Sequence, residues 1–358
     1  MKKTELSAFQ LFAVTCISML FGMTLFPSAV GHDITCAWFI AQFVTALLVF
    51  GVLLLAVRTA EACPEGDFAK AVTSLTGIVS KPLLALLGCY FLIQASRLLI
   101  MESDNLMLFL FEKTPVWAVI AVFCVCVLAV GFSGLIQTAK TAEILVPLFL
   151  LLLTALFALL LFRCDTGELK TLFQLDISEI PRQAVLSMNS FSCIELAFFA
   201  FFETKRKHRR RGLIAGYIVD IILMLTAFLA LTGTYTVKAG AELVFPFTEL
   251  TRSIELDSID ILERFDVIFI GFRITVCVLF SSLACNFGAR SFAAAVGKPD
   301  LRLYIPVSAA LFVIIFLCYK LGALSLLTNI TFWGEFAVLL LLFPCLFILS
   351  QRKKGDEK

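Results

Sequence analysis

Histidine is almost absent from this chain. Of 358 residues only two are histidine, His32 and His208, and both fall in expected connecting loops. That removes imidazole acid–base chemistry and histidine-based metal ligation from any buried core. Charge is scarce as well, at 16% Asp, Glu, Lys and Arg, where soluble domains carry about 25%. Residues 6–31 hold no charged residue or histidine. No GxSxG, HExxH or GxxxxGK[ST] pattern occurs, so the common hydrolase, zinc-protease and P-loop signatures are missing. No enzyme is expected, and no cofactor. The net charge of +2 and the placing of basic residues in loops argue against nucleic acid as a partner. Cysteine is plentiful, at 12 residues. Most, such as Cys16, Cys124, Cys126, Cys277, Cys285 and Cys345, sit inside apolar runs without metal-ligand spacing, and read as small buried hydrophobes. The fifth apolar segment lacks a lysine, so a buried-lysine proton switch is not available there.

What the chain has is apolar length. Hydrophobic residues make up 60%, and mean hydropathy is +0.99. This is the composition of an all-α integral membrane protein in the cell membrane, in contact with membrane lipid. The hydrophobic pattern places helices at 8–30, 36–57, 82–111, 115–134, 141–162, 184–203, 212–235, 263–290, 303–320 and 331–350, about ten crossings with short loops. The N-terminal run is too long for a cleaved signal and stays as the first helix. Lys and Arg concentrate on one set of loops. Lys2, Lys3, Arg58, Lys70, Lys81, Lys140, the run Lys205–Arg211 and the tail Arg352–Lys354 all fall on the side that holds both termini, which the positive-inside rule makes cytoplasmic. The run 205–211 sets topology and touches anionic lipid in this reading.

The domain reading is one transmembrane unit, 1–358, with repeat one at about 6–163 and repeat two at about 182–351. The repeats are matched by layout. Each begins with an interrupted apolar segment, and in each the longest loop, 58–81 or 236–262, precedes the third helix. Each loop carries a short candidate surface helix, Asp67–Leu75 or Pro246–Ile254. An inverted five-plus-five repeat with interrupted helices 1 and 6 predicts this layout. The interruptions are expected at Gly22-Met23-Thr24-Leu25, just before Pro27, and at Ser187–Glu195. Unpaired backbone there is expected to bind a small polar ligand, the plainer alternative being a kink satisfied by neighbouring helices. The candidate ligand-binding residues are therefore Gly22, Met23, Thr24, Leu25, Ser190, Ser192 and Cys193, with Gln94 on helix 3.

Ionisable groups inside apolar helices are costly and face the interior. Glu195 in helix 6 either shapes the break or responds to a proton. Arg97 and Asp104 in helix 3 are seven residues apart and share a face. For Arg97 the possible partners are Asp104, Glu195 and broken-helix carbonyls. Arg273 lies deep in helix 8. These four are the structural or coupling candidates, with an interior ion pair as the plainer alternative. Ser281 and Ser282 could face a sodium ion, but packing is the commoner role of Ser in membrane helices, and no metal ligand is assigned.

This layout resembles the amino acid–polyamine–organocation transporter superfamily and its leucine-transporter-like fold. Leu6-Ser7-Ala8-Phe9-Gln10, Phe21-Gly22 with Pro27, Arg97, Thr114-Pro115 and Glu263-Arg264-Phe265-Asp266 resemble the spore germination permeases, the B subunits of nutrient germinant receptors. The resemblance covers essentially the whole chain. It implies a membrane subunit that binds a small-molecule nutrient, often an amino acid, beside A- and C-type partner subunits in the spore inner membrane. An amino-acid transporter working alone is the alternative. Two positions depart from the family pattern. Cys193-Ile194-Glu195 stands where the family has Gly-x-Glu, and Phe272-Arg273 replaces an aromatic Trp.

Overall fold

Ser7 and Gln10 start the first helix by capping each other. The Ser7 amide donates to Gln10 Oε1 at 2.9 Å, and the Gln10 amide donates to Ser7 Oγ at 3.1 Å. Two otherwise orphaned amides are thereby satisfied. The motif Leu6–Gln10 is thus a capping box with a physical purpose. In this computed structural model residues 5–24, 36–63, 67–111, 113–164, 167, 177–191, 193–235, 243, 245–253, 265–297 and 300–356 are described. Helix α1 spans Ala8–Thr24, α2 Cys36–Ala62, α3 Phe68–Thr76, α4 Ser80–Phe109, α5 Val116–Phe132 and α6 Leu135–Arg163. Then come α7 Ile180–Ser187, α8 Glu195–Phe202, α9 Arg209–Thr234, α10 Pro246–Arg252 and α11 Phe265–Val296. The chain ends with α12 Asp300–Lys320, α13 Leu324–Ala337 and α14 Phe343–Asp356, the last two joined by a π-helical stretch, Val338–Leu342.

Among the described residues seven helical stretches are long and apolar enough to cross a membrane. Helices α1 and α5 are shorter apolar helices. Each apolar segment expected from the sequence contains helix among the described residues. Several start earlier or run longer than hydropathy indicated, because polar turns such as Ser80–Lys81 extend α4 beyond the apolar window. The short loop helices also form. Asp67 caps α3 by accepting from the Ala69 amide at 3.0 Å, and Pro246 opens α10.

Helix α4 is the spine. It packs most extensively on α11 and also meets α12, α13, α5 and α3. Helix α1 lies against α9, α6, α8 and α11. Glycines allow the closest approaches. A Cβ on Gly212 would lie 2.2 Å from the Ala8 carbonyl oxygen, and one on Gly131 would fall 1.3 Å from the Tyr304 hydroxyl. Thr114-Pro115 does local work too: Pro115, with extended backbone at ψ 130°, is the N-cap of α5.

Candidate functional site

The second expected interruption is present where the sequence placed it. Helix α7 ends at Ser187, tightens into a 3-10 turn over Met188–Phe191, and α8 starts at Glu195. Cys193 sits between them with φ +84°. That left-handed backbone is free to glycine and costs other residues about 1–2 kcal/mol. The chain thus carries a cysteine where geometry favours glycine. Ser192 lies outside the described residues. The break is held from outside by α2: Gln42 Nε2 donates to Ser190 Oγ at 3.0 Å, and Thr45 Oγ1 donates to the Ala184 carbonyl at 2.9 Å. The Ser190 hydroxyl is therefore already partnered by the scaffold.

The first expected interruption falls at the edge of the described residues. Helix α1 runs through Gly22 and Met23 and ends at Thr24. A single glycine costs a helix only about 1 kcal/mol, which neighbouring apolar residues offset. Leu25 and the segment through Thr35 lie outside the described residues.

Beside the helix-6 break a chain of polar groups crosses from α4. Gln94 Nε2 donates to the Tyr90 hydroxyl at 2.7 Å, and Tyr90 donates to Glu195 Oε1. Arg97 acts on Glu195 through its charge. Glu335 of α13 and Cys193 act on Tyr90. Arg97 and Glu195 are each 0% exposed and Glu335 is 1%. A Cβ on Gly334 would meet the Tyr90 ring at 2.8 Å, so glycine there lets α13 close on this group. Of the sequence candidates, the fold brings Gln94, Arg97, Cys193 and Glu195 together. Tyr90 and Glu335 are additions.

Asp104 does not join them. It is half-buried, whereas Arg97 is fully enclosed. A seven-residue spacing drifts by about 20° around a straight helix, and the acid that α4 buries is Glu102 instead. Arg273 Nη2 donates to Glu102 Oε2 at 2.7 Å, and Arg273 Nη1 donates to Thr248 Oγ1 at 2.8 Å. Thr248 Oγ1 donates to Asn105 Oδ1 at 3.1 Å, and Asn105 Nδ2 donates to Glu102 Oε1 at 3.3 Å. The four side chains close a ring that ties α10 to α4 and α11. Glu102 and Asn105 had escaped the sequence reading. Their signal, polar residues in an apolar helix, is the one that selected Asp104.

Aromatic rings and an ion pair pack the helices around this layer. Phe199 packs on Phe91 with centroids 4.8 Å apart, and Phe198 packs on Phe343 at 4.8 Å. Arg290 pairs with Glu203 at 2.8 Å. Leu6 bonds the chain beyond α8 through its amide to Glu203 and its carbonyl from Lys205, both at 3.0 Å. Arg209 is not simply a lipid-facing cation. It is 6% exposed, lies over the Phe201 ring at 4.5 Å, and reaches the Ala60 carbonyl at 3.5 Å. Ser282 donates to the Val278 carbonyl at 2.7 Å, the packing role expected of such a serine. A 320 Å³ apolar cleft between α4, α5 and α11, lined by Leu106, Phe123 and Val278, lies apart from the break.

Residues 5–321 match the sequence pattern of a family described as spore germination protein. Spore germination protein A2 of Bacillus subtilis (strain 168) is 25% identical over 210 residues, which is 57% of this chain and 57% of that protein. Spore germination protein YndE of the same organism is 25% identical over 207 residues, 56% of this chain and 55% of that protein. The aligned stretch thus spans little more than half of each relative. Among solved structures, MhsT in complex with L-phenylalanine superposes with a TM-score of 0.66 at 15% identity, covering 86% of this chain and 78% of that one. The Eremococcus coleocola manganese transporter, in complex with an aromatic bis-isothiourea compound, gives 0.61 at 12% identity, covering 96% and 77%. At such identities the likeness is one of fold, the leucine-transporter-like fold.

Proposed function

From the premise that this chain belongs to the spore germination protein family, we propose that it is the membrane subunit of a germinant receptor and binds a small nutrient, an amino acid, at the helix-6 break. The observation that carries this is the juxtaposition of that break with Gln94, Tyr90, Arg97 and Glu195. A broken helix exposes amides and carbonyls suited to an ammonium and a carboxylate. Arg97 offers positive charge and Glu195 a carboxyl on the same layer. Gly22, Met23, Thr24, Leu25, Ser190, Ser192 and Cys193 complete the site in this reading, with Asp104 and Arg273 outside it as structural residues. The neighbour MhsT was solved with an amino acid bound, which supports the ligand class.

The wider reading is ten crossings in two inverted five-helix repeats. Seven long stretches, the short apolar helices α1 and α5, and the pair α7–α8 supply them. Both termini are cytoplasmic, and A- and C-type subunits are the partners. The same fold in transporters favours one second reading, a secondary active amino-acid transporter.

Binding of labelled amino acids to the purified chain in lipid nanodiscs tests the site. Saturable binding that Gly22→Val and Gln94→Ala each weaken at least tenfold is expected. Binding untouched by both substitutions would place the site elsewhere.

A further inference from the structure

A second buried carboxyl lies away from this site, on the seam between α1 and α9. Gly212, Gly216 and Asp220 follow one another at four-residue intervals along one face of α9. A Cβ on Gly212 would strike the Ala8 carbonyl, and one on Gly216 would lie 2.8 Å from Thr15 Cβ. Asp220, one turn further, stands beside the Cys16 thiol of α1. The glycines draw the two helices together, and the seam closes over Asp220, which is 1% exposed. Neither carboxyl oxygen has an N–H or O–H donor, and the Cys16 thiol is the donor that stands beside it.

An ionised carboxylate with a weak thiol donor and no counter-charge is not tolerated in such a place. The elements packed on α9 are α1, α6, α2, α8 and α10. Cys16 on α1 and Tyr217 on α9 itself are the groups coupled to Asp220. The other ionisable side chains of these elements include Lys140 and Glu143 of α6, Arg58 and Glu61 of α2, Glu195 of α8, and Glu249 and Arg252 of α10; among the described residues no ion pair joins any of them to Asp220. A metal ion needs several oxygen ligands. Here the Thr15 and Ser18 hydroxyls donate to the Leu11 and Val14 carbonyls, each at 2.8 Å, and among the described residues no three metal-ligating side chains gather.

We propose that Asp220 is a proton-binding site that locks α1 to α9: the seam is closed when its carboxyl is neutral and opens to water when the proton leaves. Asp220 lies about 16 Å along α9 from Arg209, counting 1.5 Å per residue, so opening of the seam is what would bring water to it. The closed seam holds one more proton than the open one. Raising the pH therefore favours opening, by at most tenfold per pH unit. The proposal is independent of which ligand the helix-6 break takes.

Two measurements on the full chain in nanodiscs test it. Infrared spectra at pH 7 should show a carboxylic-acid C=O stretch that Asp220→Asn removes. No such loss, or a band that emerges only when sodium is withdrawn, would overturn the proton assignment. Amide exchange of residues 11–20, corrected for its intrinsic pH dependence, should speed up as pH rises, approaching tenfold per unit. It should be flat in Asp220→Asn. Asp220→Glu, which keeps the acid, should keep the slope and guards against a folding defect in the amide variant. A corrected rate independent of pH in the wild-type chain would overturn the switch.

Discussion

Cys193 is the residue whose conformation and identity disagree. Its φ of +84° makes a clean comparison possible, because Cys193→Ala and Cys193→Gly both delete the buried thiol and differ only in what that backbone costs. Cys193→Gly should be more stable than Cys193→Ala by about 1 kcal/mol, the left-handed cost less the extra freedom of glycine in the unfolded chain. Denaturant titration in mild detergent checks it. Equal stability would mean the turn relaxes to another conformation. Glu195 poses a second residue-scale question. It accepts from Tyr90 and lies under the field of Arg97. Glu195→Gln keeps size and an acceptor for Tyr90, so partial nutrient response should remain. Glu195→Ala strands the Tyr90 hydroxyl, which costs about 1–3 kcal/mol for an unsatisfied buried group, and the response should vanish. A germination assay on the two variants decides, and equal loss in both would assign Glu195 a titrating role. Glu195 was legible in the sequence because a lone acid in an apolar run has little alternative to the interior. Tyr90 was not, since a tyrosine in a membrane helix is ordinary until a carboxylate from 105 residues away meets it.

At the scale of elements, the ring of Arg273, Glu102, Thr248 and Asn105 fastens α10 across α4 and α11. Arg273→Leu leaves Glu102, 0% exposed, without its counter-charge, which should cost about 3–5 kcal/mol. Replacing both partners, Glu102→Met with Arg273→Met, removes the orphaned charge and should recover most of that loss. A double-mutant cycle by thermal unfolding reads the coupling, and additive losses would mean the pair is not coupled. Helix existence was the legible part at this scale, since apolar runs long enough to span a bilayer leave few alternatives. The helix-6 break was legible from Asn189, Ser190 and Ser192 beside Glu195. What sequence spacing misjudged was azimuth. Arg97 and Asp104 share a helical face on paper, yet α4 meets α11 along Glu102, and only packing between distant helices chooses among neighbouring polar residues. The pairing of Gly212 with Ala8 is of the same kind: the glycine was visible, the carbonyl it admits was not.

For the whole molecule the open question is whether binding moves a solute or only shifts a conformation. Aromatic contacts, the Arg290–Glu203 pair and the tie between Leu6 and Glu203 pack the helices around the polar layer. A transporter must open its site to each side in turn, whereas a receptor needs only a ligand that prefers one conformation. Moving an equilibrium from 1:99 to 99:1 takes a preference of about 10⁴-fold, about 5.5 kcal/mol. An amino acid satisfying Arg97, Glu195 and the ends of the broken helix could supply part of that, and contacts with partner subunits the rest. Proteoliposomes of the purified chain should therefore bind labelled amino acid without accumulating it against a gradient. Orientation is controlled in the same vesicles: membrane-impermeant thiol reagents should reach cysteines introduced near Asp33 and Lys170 from the face opposite to Arg209. Binding without uptake supports the receptor reading. Saturable, gradient-driven accumulation in correctly oriented protein would overturn it.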